Sequence, residues 1–407
     1  MTPGDPMLLE VIAWTLILLM GTCVVLWSVA MVRLLHSQGR LPHVRDALGH
    51  AREAGWPRVS AIVPAHNEED LLDACVHSIR NQDYPDLQII VALDRCEDAS
   101  PQIARRHADA DERVTVTPND SHRPGWRGKC LPMQVGSEHA DGEWLLFMDA
   151  DTQIEPSMVR AAVATADAHG FEMLSVLPDL RCRRAFEHVA QPVASLQLMQ
   201  MFPPHKVNRP NGNSRPFSLG AFTLLRRDRY DQLGGMAAVK DQFMEDINLA
   251  RAVNASGGRV GIAQGSGLFR CVMYETFDEF KNGWKRIFIG AANQSVKKLR
   301  THGRRLMTLG VALPIIQLAS VVCAIAVATQ GSYILGGVLG GLVTLAVALQ
   351  YLVLARFYHA AGASPLAPLL FPVGSATIGL ILLRGADDLR HRRHFTWGGH
   401  DYLPEAR

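Results

Sequence analysis

Long apolar segments lie at both ends of this chain, and they constrain its fold more than any other feature. Residues 7–35 contain one acid, Glu10, and no further charge before Arg33. A run of ~20 apolar residues is long enough to cross a bilayer. No Lys or Arg precedes the run, and it exceeds the apolar length of a signal peptide. We therefore expect residues 1–36 to form an uncleaved transmembrane anchor.

Further apolar segments occupy the C-terminal part, at residues 306–329, 332–355 and 366–383. The third contains Pro368 and Pro372, so a re-entrant or interfacial course is an alternative to a full span. We predict a C-terminal membrane region at residues 301–390 with two or three spans. A polar tail follows at residues 391–407.

Basic residues flank the polar middle of the chain on both sides. They are Arg33, Arg40, Arg45 and Arg52 after the first apolar run, and Lys297, Lys298, Arg300, Arg304 and Arg305 before the second. Cytoplasmic flanks of membrane spans carry an excess of Lys and Arg. We expect a multi-pass integral protein of the cell (inner) membrane with a cytoplasmic middle domain. The side of the tail stays open, because three C-terminal spans would place its arginines outside, against the same rule.

The bulk composition excludes some classes of protein. The 407 residues carry a formal net charge of only +2, which argues against a polyanionic partner such as nucleic acid. The seven cysteines are isolated, and no Cys-x-x-Cys occurs. This pattern favours reduced thiols facing the cytosol over a disulfide framework or cysteine-ligated zinc.

The polar middle alternates between strand and helix patterns. After a linker at residues 37–56, β-rich runs at 58–63, 87–93, 113–117 and 143–148 are separated by segments with helical spacing. Such alternation predicts an α/β domain with a mostly parallel, Rossmann-like sheet. We place this domain at residues 57–300.

The run Trp144-Leu145-Leu146-Phe147-Met148-Asp149-Ala150-Asp151 predicts a buried strand that ends in charge. Two acids two residues apart leave an extended backbone on the same side. Such a pair can hold a hard divalent cation that takes its other ligands from water and substrate phosphates. A solvated acidic turn is the alternative for this pattern taken alone.

Other polar clusters also follow predicted strands. Residues 64–68 follow the first strand, and Asp94 follows the second. In open parallel sheets, ligands bind at the carboxyl ends of the strands. We therefore expect these clusters to meet Asp149 and Asp151 at one edge of the sheet.

Taken together, these pieces resemble the membrane-bound family-2 glycosyltransferases, which have a GT-A nucleotide-sugar-binding fold. The matching elements are the opening Ser60-Ala61-Ile62-Val63-Pro64-Ala65-His66-Asn67-Glu68-Glu69, then Asp94, Gly128-Lys129, Asp149-Ala150-Asp151, Gly234-Gly235 and Glu245-Asp246. The resemblance covers roughly residues 57–300. Within the family, Gly125-Trp126-Arg127-Gly128-Lys129 and the flanking spans look most like the hopene-associated and carotenoid-type lipid glycosyltransferases.

The resemblance implies a role for individual residues. Pro64, Ala65, Asn67, Glu68 and Asp94 would line the nucleotide pocket, with Asp94 accepting a hydrogen bond from uracil. Lys129 would lie near the nucleotide or diphosphate. Asp149 would face the ribose and the metal, Asp151 would ligate Mg²⁺ or Mn²⁺ directly, and Asp246 would be the general base of an inverting reaction.

One region departs from a subgroup of the family. Processive polysaccharide synthases carry Gln-x-x-Arg-Trp downstream of the base, whereas this chain has Asn282-Gly283-Trp284-Lys285-Arg286. A long-chain polymerase is therefore disfavoured, and Lys285 or Arg286 is expected to contact the diphosphate. Apolar residues at helical spacing from Phe280 to Ala291, beside basic ones, predict an in-plane interfacial helix.

The function predicted from the sequence is metal-dependent transfer of one sugar from a nucleotide donor, UDP-linked by expectation, to a lipid or lipid-linked hydroxyl. A polyprenyl-phosphate glycosyltransferase is the alternative enzyme, and its phosphate acceptor would need no base. A non-catalytic membrane scaffold on a GT-A domain is the third reading. The sequence leaves the sugar and the acceptor open.

Overall fold

The structure of the chain is a computed structural model. It describes residues 6–38, 41–49, 55–120, 123–179, 182–209, 215–242, 244–271, 274–393, 395–397 and 400–402. Part of the predicted polar tail and part of the predicted linker therefore lie outside the described residues.

A mixed seven-stranded sheet forms the centre of the polar domain. Its order is β3-β2-β1-β4-β7-β6-β8, and all its neighbouring strands pair in parallel except β7, which is antiparallel to both β4 and β6. The strands of the chain are β1 Val59–Ala65, β2 Leu87–Asp94, β3 Val114–Asn119, β4 Trp144–Met148, β5 Thr152–Ile154, β6 Met173–Leu177, β7 Phe222–Arg226, β8 Val260–Gln264, β9 Phe269–Cys271, β10 Phe395–Trp397 and β11 His400–Tyr402. The α/β class and the mostly parallel sheet are as predicted.

Helices cover the sheet and continue into the apolar regions. They are α1 Pro6–Gln38, α2 Leu72–Arg80, α3 Ser100–Ala110, α4 Cys130–Glu138, α5 Met158–His169, α6 Ala185–Met201, α7 Pro204–Val207, α8 Arg227–Gln232, α9 Glu245–Ala255, α10 Phe277–Ala291, α11 Val296–Leu306, α12 Leu313–Thr329, α13 Tyr333–Ala360 and α14 Phe371–Arg390. A π-helical turn, Met307–Ala312, joins α11 to α12.

The central strands are apolar because both faces of the sheet are covered. Every residue of β1 and of β4 is buried. Strands buried on both faces read as continuous apolar runs, and the polar residues that follow them collect at one edge. The carboxyl ends of β1, β2 and β4 therefore meet where the sequence predicts a site.

Several elements were not predicted from the sequence. Strands β5, β8 and β9 are short, and β5 pairs with β9 in a separate two-stranded sheet. Part of the predicted linker also packs on the domain: Val44 is fully buried in the main core, and the amide of Gln264 donates to the carbonyl of Pro42. Residues 41–48 are thus not a free linker.

In the described part of the chain, four helices are long and apolar enough to cross a membrane: Met7–Leu35, Val296–Thr329, Tyr333–Ala360 and Ala367–Arg390. Helices α1, α12 and α13 pack on one another, and a buried hydrogen bond of 2.9 Å joins Gln317 to Gln350. Helix α14 packs instead on α6, α10, α11 and the π-helical turn.

The predicted interfacial helix is instead packed between protein helices. Helix α10 buries Phe280, Trp284 and Phe288 in one cluster with residues of α6 and α14. The indole of Trp284 donates to Gln191 of α6 at 3.1 Å. Its apolar stripe therefore contacts protein and not lipid, because α14 returns to cover it.

We expect Gly142→Ala to weaken the junction between β4 and β1. A Cβ on Gly142 would lie 2.6 Å from the amide nitrogen of Ser60 and 2.9 Å from the carbonyl oxygen of Arg58. These are backbone atoms of a buried strand and do not yield easily, and overpacking of this kind costs about 1–3 kcal/mol. Thermal unfolding of the purified protein should shift down by several degrees. Gly49→Ala is the matched control, because no atom lies within 4 Å of a Cβ there, and an equal shift in both variants would contradict the prediction.

Candidate active site

A cavity of about 590 Å³ runs from the carboxyl edge of the sheet toward the apolar helices. Its polar end is formed by the ends of β1, β2 and β4, the start of α4 and the start of α9. The side chains there include His66, Glu68, Asp94, Arg95, Lys129, Asp149, Asp151, Glu245 and Asp246. Residues from five separate segments are thus brought together as the parallel sheet predicts.

The loops after β1 and β2 are fastened to each other by hydrogen bonds. The Asn67 side chain accepts from the amide of Glu97 at 2.8 Å, and the amide of Glu68 donates to Ser100 Oγ at 2.8 Å. Asn67 adopts a φ of 55°, a left-handed conformation that Asn tolerates. Pro64, Ala65 and Glu68 line the cavity, whereas Asn67 does not. Its observed contact is with the neighbouring loop, so it shapes the cavity wall from behind.

Asp94 is buried at the end of β2 and is already hydrogen-bonded. Its Oδ1 accepts from Asn119 at 2.8 Å, and Arg95 donates to both of its oxygens, at 3.1 and 2.7 Å. Arg95 has a φ of 48°, which turns the chain sharply after the strand. The acid is therefore held rigidly in the cavity wall beside a guanidinium.

Lys129 lies between acids from two elements. Its ammonium donates to Asp149 in a short hydrogen bond and lies 3.3 Å from Glu245 Oε1. Burial lowers the pKa of this ammonium, but the charges of Asp149, Glu245 and Asp246 outweigh that effect and raise the pKa well above its usual range. Lys129 is therefore a fixed positive charge at the centre of the polar end.

Asp149 and Asp151 lie in the tight turn between β4 and β5, not in an extended segment. The carbonyl of Asp149 accepts from Thr152 Oγ1 at 2.6 Å, which fixes the turn. Both acids still line the cavity. Oδ1 of Asp151 is shielded from solvent and has no hydrogen-bond partner among the described residues. Burial, and then the charge of Asp149, raise the pKa of Asp151 to about 7.

Asp246 is held at the first turn of α9 by two backbone amides. Its Oδ2 accepts from Gly220 at 2.8 Å, and its Oδ1 accepts from Ile247 at 2.7 Å. Burial, and then the charge of Glu245, raise its pKa to about 7. A Cβ on Gly220 would lie 2.7 Å from the Lys129 ammonium. Only a residue without a side chain lets the backbone come this close.

The arrangement has the character of a site for a hard cation. Glu68, Asp149, Asp151, Glu245 and Asp246 all line the same end of the cavity as Lys129, and burial, Asp149 and Asp98 raise the pKa of Glu68 to about 7. Among the described residues no closed cage of three or more His, Cys, Asp or Glu ligands is formed. The unpartnered oxygen of Asp151 nonetheless fits a divalent ion that takes most of its ligands from water and phosphate. Asp149 is less well placed as a metal ligand, because one of its carboxylate oxygens already accepts a hydrogen bond from Lys129.

The two residues of α10 that were expected to contact the diphosphate, Lys285 and Arg286, have different surroundings in the structure. Arg286 lines the cavity, whereas Lys285 does not. The Lys285 ammonium binds Asp388 of α14 at 2.8 Å. Successive residues of a helix point about 100° apart, so only one of the two can face the cavity. The expectation that Lys285 or Arg286 contacts the diphosphate stays a prediction, and Arg286 is the one of the two that lines the cavity.

The other end of the cavity is apolar. Leu198 and Met199 of α6 line it with Phe202 just after that helix, together with Trp284 and Ile287 of α10. It ends at Phe357, Ala360 and Ala361, where α13 leaves the apolar region. Sequence reasoning also missed Arg95, Asn119 and Gly220. The position of Arg95 directly after Asp94 was the one available signal.

Comparisons with known proteins agree with this geometry. Residues 60–234 match the sequence profile described as "Glycosyl transferase family 2". The chain is 34% identical over 110 residues to the "Putative glycosyltransferase EpsH" of Bacillus subtilis (strain 168), covering 27% of this chain and 30% of that protein. It is 25% identical over 242 residues to the "4,4'-diaponeurosporenoate glycosyltransferase" of Staphylococcus haemolyticus (strain JCSC1435), covering 58% and 62%. The chain thus spans less than two thirds of the length of these curated relatives.

Among solved structures, the chain is similar to the "Mannosyltransferase PcManGT from Pyrobaculum calidifontis in complex with GDP-Man and Mn2+". The identity is 20%, the TM-score is 0.49, and the match covers 95% of this chain and 99% of that one. The sequence profile begins in β1 and ends just after α8, so it includes the loops that carry Glu68, Asp94, Lys129, Asp149 and Asp151. The observed sheet is mixed, mostly parallel and GT-A-like, and residues 60–234 within it match glycosyl transferase family 2.

Proposed function

We propose that this protein transfers one sugar, with inversion, from a nucleotide donor to the hydroxyl of a lipid or lipid-linked acceptor at the membrane. One observation carries the proposal: the cavity joins a carboxylate-rich end to an apolar end that reaches the last turn of α13, a candidate membrane span. A water-soluble donor suits the first end and a lipid chain suits the second. The polar domain would face the cytoplasm, where nucleotide sugars are made available.

The donor would bind at the carboxyl edge of the sheet. Pro64, Ala65, Glu68 and Asp94 supply the nucleotide wall, and the buried Asp94 carboxylate can accept from the imide N–H of uracil, which favours a UDP-sugar. Lys129 and Arg286 line the same cavity and can face the diphosphate. Asp151, assisted by Asp149, would hold Mg²⁺ or Mn²⁺. Such an ion, when bound, would offset the charge that grows on the leaving diphosphate.

The acceptor hydroxyl must lose its proton as it attacks the anomeric carbon. Asp246 is suited to take that proton, because two backbone amides fix its carboxylate and a pKa of about 7 lies near working pH. The bond to the diphosphate oxygen breaks on the opposite face of the sugar, so the configuration inverts. A phosphate acceptor, the alternative reading, would arrive already ionised and would not need Asp246.

We expect Asp151→Asn to weaken binding of Mn²⁺ by about tenfold or more, because a neutral amide is a poorer ligand for a hard cation. The measurement is calorimetric titration of the purified full chain with Mn²⁺, with and without UDP. Asp141→Asn is the control, since Asp141 is an exposed acid paired with Arg58 at the surface. Unchanged affinity in Asp151→Asn would remove the metal assignment without touching the transfer reaction.

We expect the transfer rate to rise with pH through about 7, because Asp246 acts as a base only when it is ionised. Below that pH the rate should fall nearly tenfold per pH unit. Asp246→Asn should lose about 10²-fold or more in rate at saturating donor, keep donor affinity, and lose this pH limb. The control is Asp241→Asn, an exposed acid five residues upstream.

The results for Asp246 separate the two enzyme readings. Near wild-type transfer by Asp246→Asn would favour a phosphate acceptor. A joint loss of transfer and donor affinity would assign Asp246 to the nucleotide pocket.

We expect Met199→Trp to fill the apolar end of the cavity and to lower transfer to a lipid acceptor by about 10²-fold, because a misplaced acceptor loses reactive geometry. Hydrolysis of the donor by water should continue at the wild-type rate, which shows that the polar end is intact. Gln200→Trp is the matched control, since Gln200 is the next residue of α6 but is exposed and does not line the cavity. Equal losses in both variants, or in both reactions, would speak against an acceptor at this end.

A further inference from the structure

The C-terminal helix α14 is long and apolar enough to cross a membrane, but its neighbours place it elsewhere. Helices α1, α12 and α13 form one packed group, while α14 packs on α6, α10, α11 and the π-helical turn. The first two of these partners belong to the polar domain. A helix that crossed the bilayer beside α12 would instead pack along the length of α12.

The contacts of glycines fix the register between α14 and the helix that contains α11 and α12. A Cβ on Gly303 would meet Gly379 and Leu383, and one on Gly310 would meet Ser375 and then Phe371 at 3.7 Å. The two helices therefore run antiparallel, and α14 begins at the level of the π-helical turn. From there it runs back toward the start of α11.

This register limits how deep α14 can reach. The last charge before α12 is Arg305, and residues 306–329 are uncharged. If the first residue of α14 lay level with Leu313, it would be only about 12 Å deeper in the membrane than Arg305, because an α-helix rises 1.5 Å per residue. The hydrocarbon core is about 30 Å thick. Helix α14 thus falls short of the bilayer centre.

The far end of α14 lies against the polar domain. Gly385 faces Ile289 and Lys285 of α10, and Lys285 pairs with Asp388 at 2.8 Å. The charged residues of α14 are Arg384, Asp387, Asp388 and Arg390, all in this half. They lie at the level of the basic helix α11, so both sets of charges share one side of the membrane.

The turn before α14 and its first residues present apolar side chains outward. Leu366, Leu369, Leu370 and Val373 are between 48% and 69% exposed. Ile315 on α12, at a similar level, is 64% exposed. The outward apolar surface of α12 therefore continues onto this segment. A surface of this kind in a chain with apolar spans is covered by lipid chains.

We propose that the chain crosses the membrane three times, with α1, α12 and α13, and that residues 361–379 form a re-entrant segment. This segment enters the leaflet adjoining the polar domain and leaves it on the same side. The tail after α14 then lies on the side of the polar domain. Arg390, Arg392 and Arg393 then lie on the same side of the membrane as the other basic flanks. Three C-terminal spans would instead have placed these arginines outside, against the excess of Lys and Arg on cytoplasmic flanks.

The test compares the sidedness of three epitope tags, each inserted singly into the full chain. The positions are the exposed turn at Ser256–Gly257, the α12–α13 turn after Gln330, and the C-terminus. Protease digestion of sealed inside-out and right-side-out vesicles reads out each tag. The 256 and C-terminal tags should be cleaved in the same vesicles, and the 330 tag in the opposite ones. A C-terminal tag that shares its side with the 330 tag would overturn the proposal, as would a 330 tag on the side of the polar domain.

Cysteine labelling tests the depth of the segment separately. Val373→Cys should react at least about tenfold more slowly with a water-soluble maleimide than His391→Cys, because lipid and not protein covers Val373. Both residues are exposed in the protein, so accessibility within the protein does not explain a difference. The unsubstituted chain gives the background from native thiols. Equal rates would show that the segment lies outside the leaflet. None of these measurements depends on catalytic activity.

Discussion

The polar end of the cavity depends on one buried cation. Lys129 lies among acids contributed by β4 and α9, segments that are about a hundred residues apart in the chain. Lys129 and Asp149 are partly exposed, whereas Glu245 is buried, so loss of the ammonium would leave a buried carboxylate without its partner. Lys129 therefore ties the start of α4 to the end of β4 and to α9. The absence of a side chain at Gly220 is what lets the backbone lie beside that ammonium.

The acids at this end of the cavity have unusual protonation equilibria. Burial and mutual repulsion raise the pKa values of Glu68, Asp151 and Asp246 to about 7. Groups with shifted pKa values in a cleft are candidates for chemistry, because the shift records electrostatic free energy stored in the folded state. Asp94 differs from this group, since Arg95 and Asn119 already satisfy it. Its position suits recognition of a base more than proton transfer.

Much of this organisation was predictable from local sequence. The buried strands before Asp94 and Asp149, the apolar segments and the meeting of polar clusters at one sheet edge follow from periodicity and from the geometry of parallel sheets. The resemblance to family 2 is confirmed by the profile match over residues 60–234. The roles of Asp151, Asp246 and their neighbours remain predictions, although the structure brings these residues into one cavity.

The misses have physical causes of a different kind. The resemblance implies that Asn67 lines the nucleotide pocket, but its side chain accepts from the amide of Glu97 in the next loop and lies outside the cavity lining. Lys285 and Arg286 are adjacent in sequence but differ in surroundings, because Lys285 pairs with Asp388 of α14 whereas Arg286 lines the cavity. Helix α10 would be amphipathic whether its apolar face met lipid or protein. Only the tertiary partner decides whether it meets lipid or protein, and periodicity carries no record of that partner.

The turn after α13 bears on the free energy that a lipid acceptor would need to leave the membrane and reach the site. Residues Ala360 and Ala361 line the cavity at the level where the chain emerges from the apolar region, and the amide of Ser364 donates to His188 of α6 at 3.0 Å, which docks this turn on the domain. Lifting a lipid chain into water costs about 0.8 kcal/mol for each methylene exposed. For a tail of some twenty carbons this approaches 16 kcal/mol, which is about as large as the whole barrier reduction that a typical enzyme supplies. If the proposed lipid acceptor enters through the apolar end of the cavity, its head group would reach Asp246 while its tail stays among lipid chains, and the cost of extraction would be avoided.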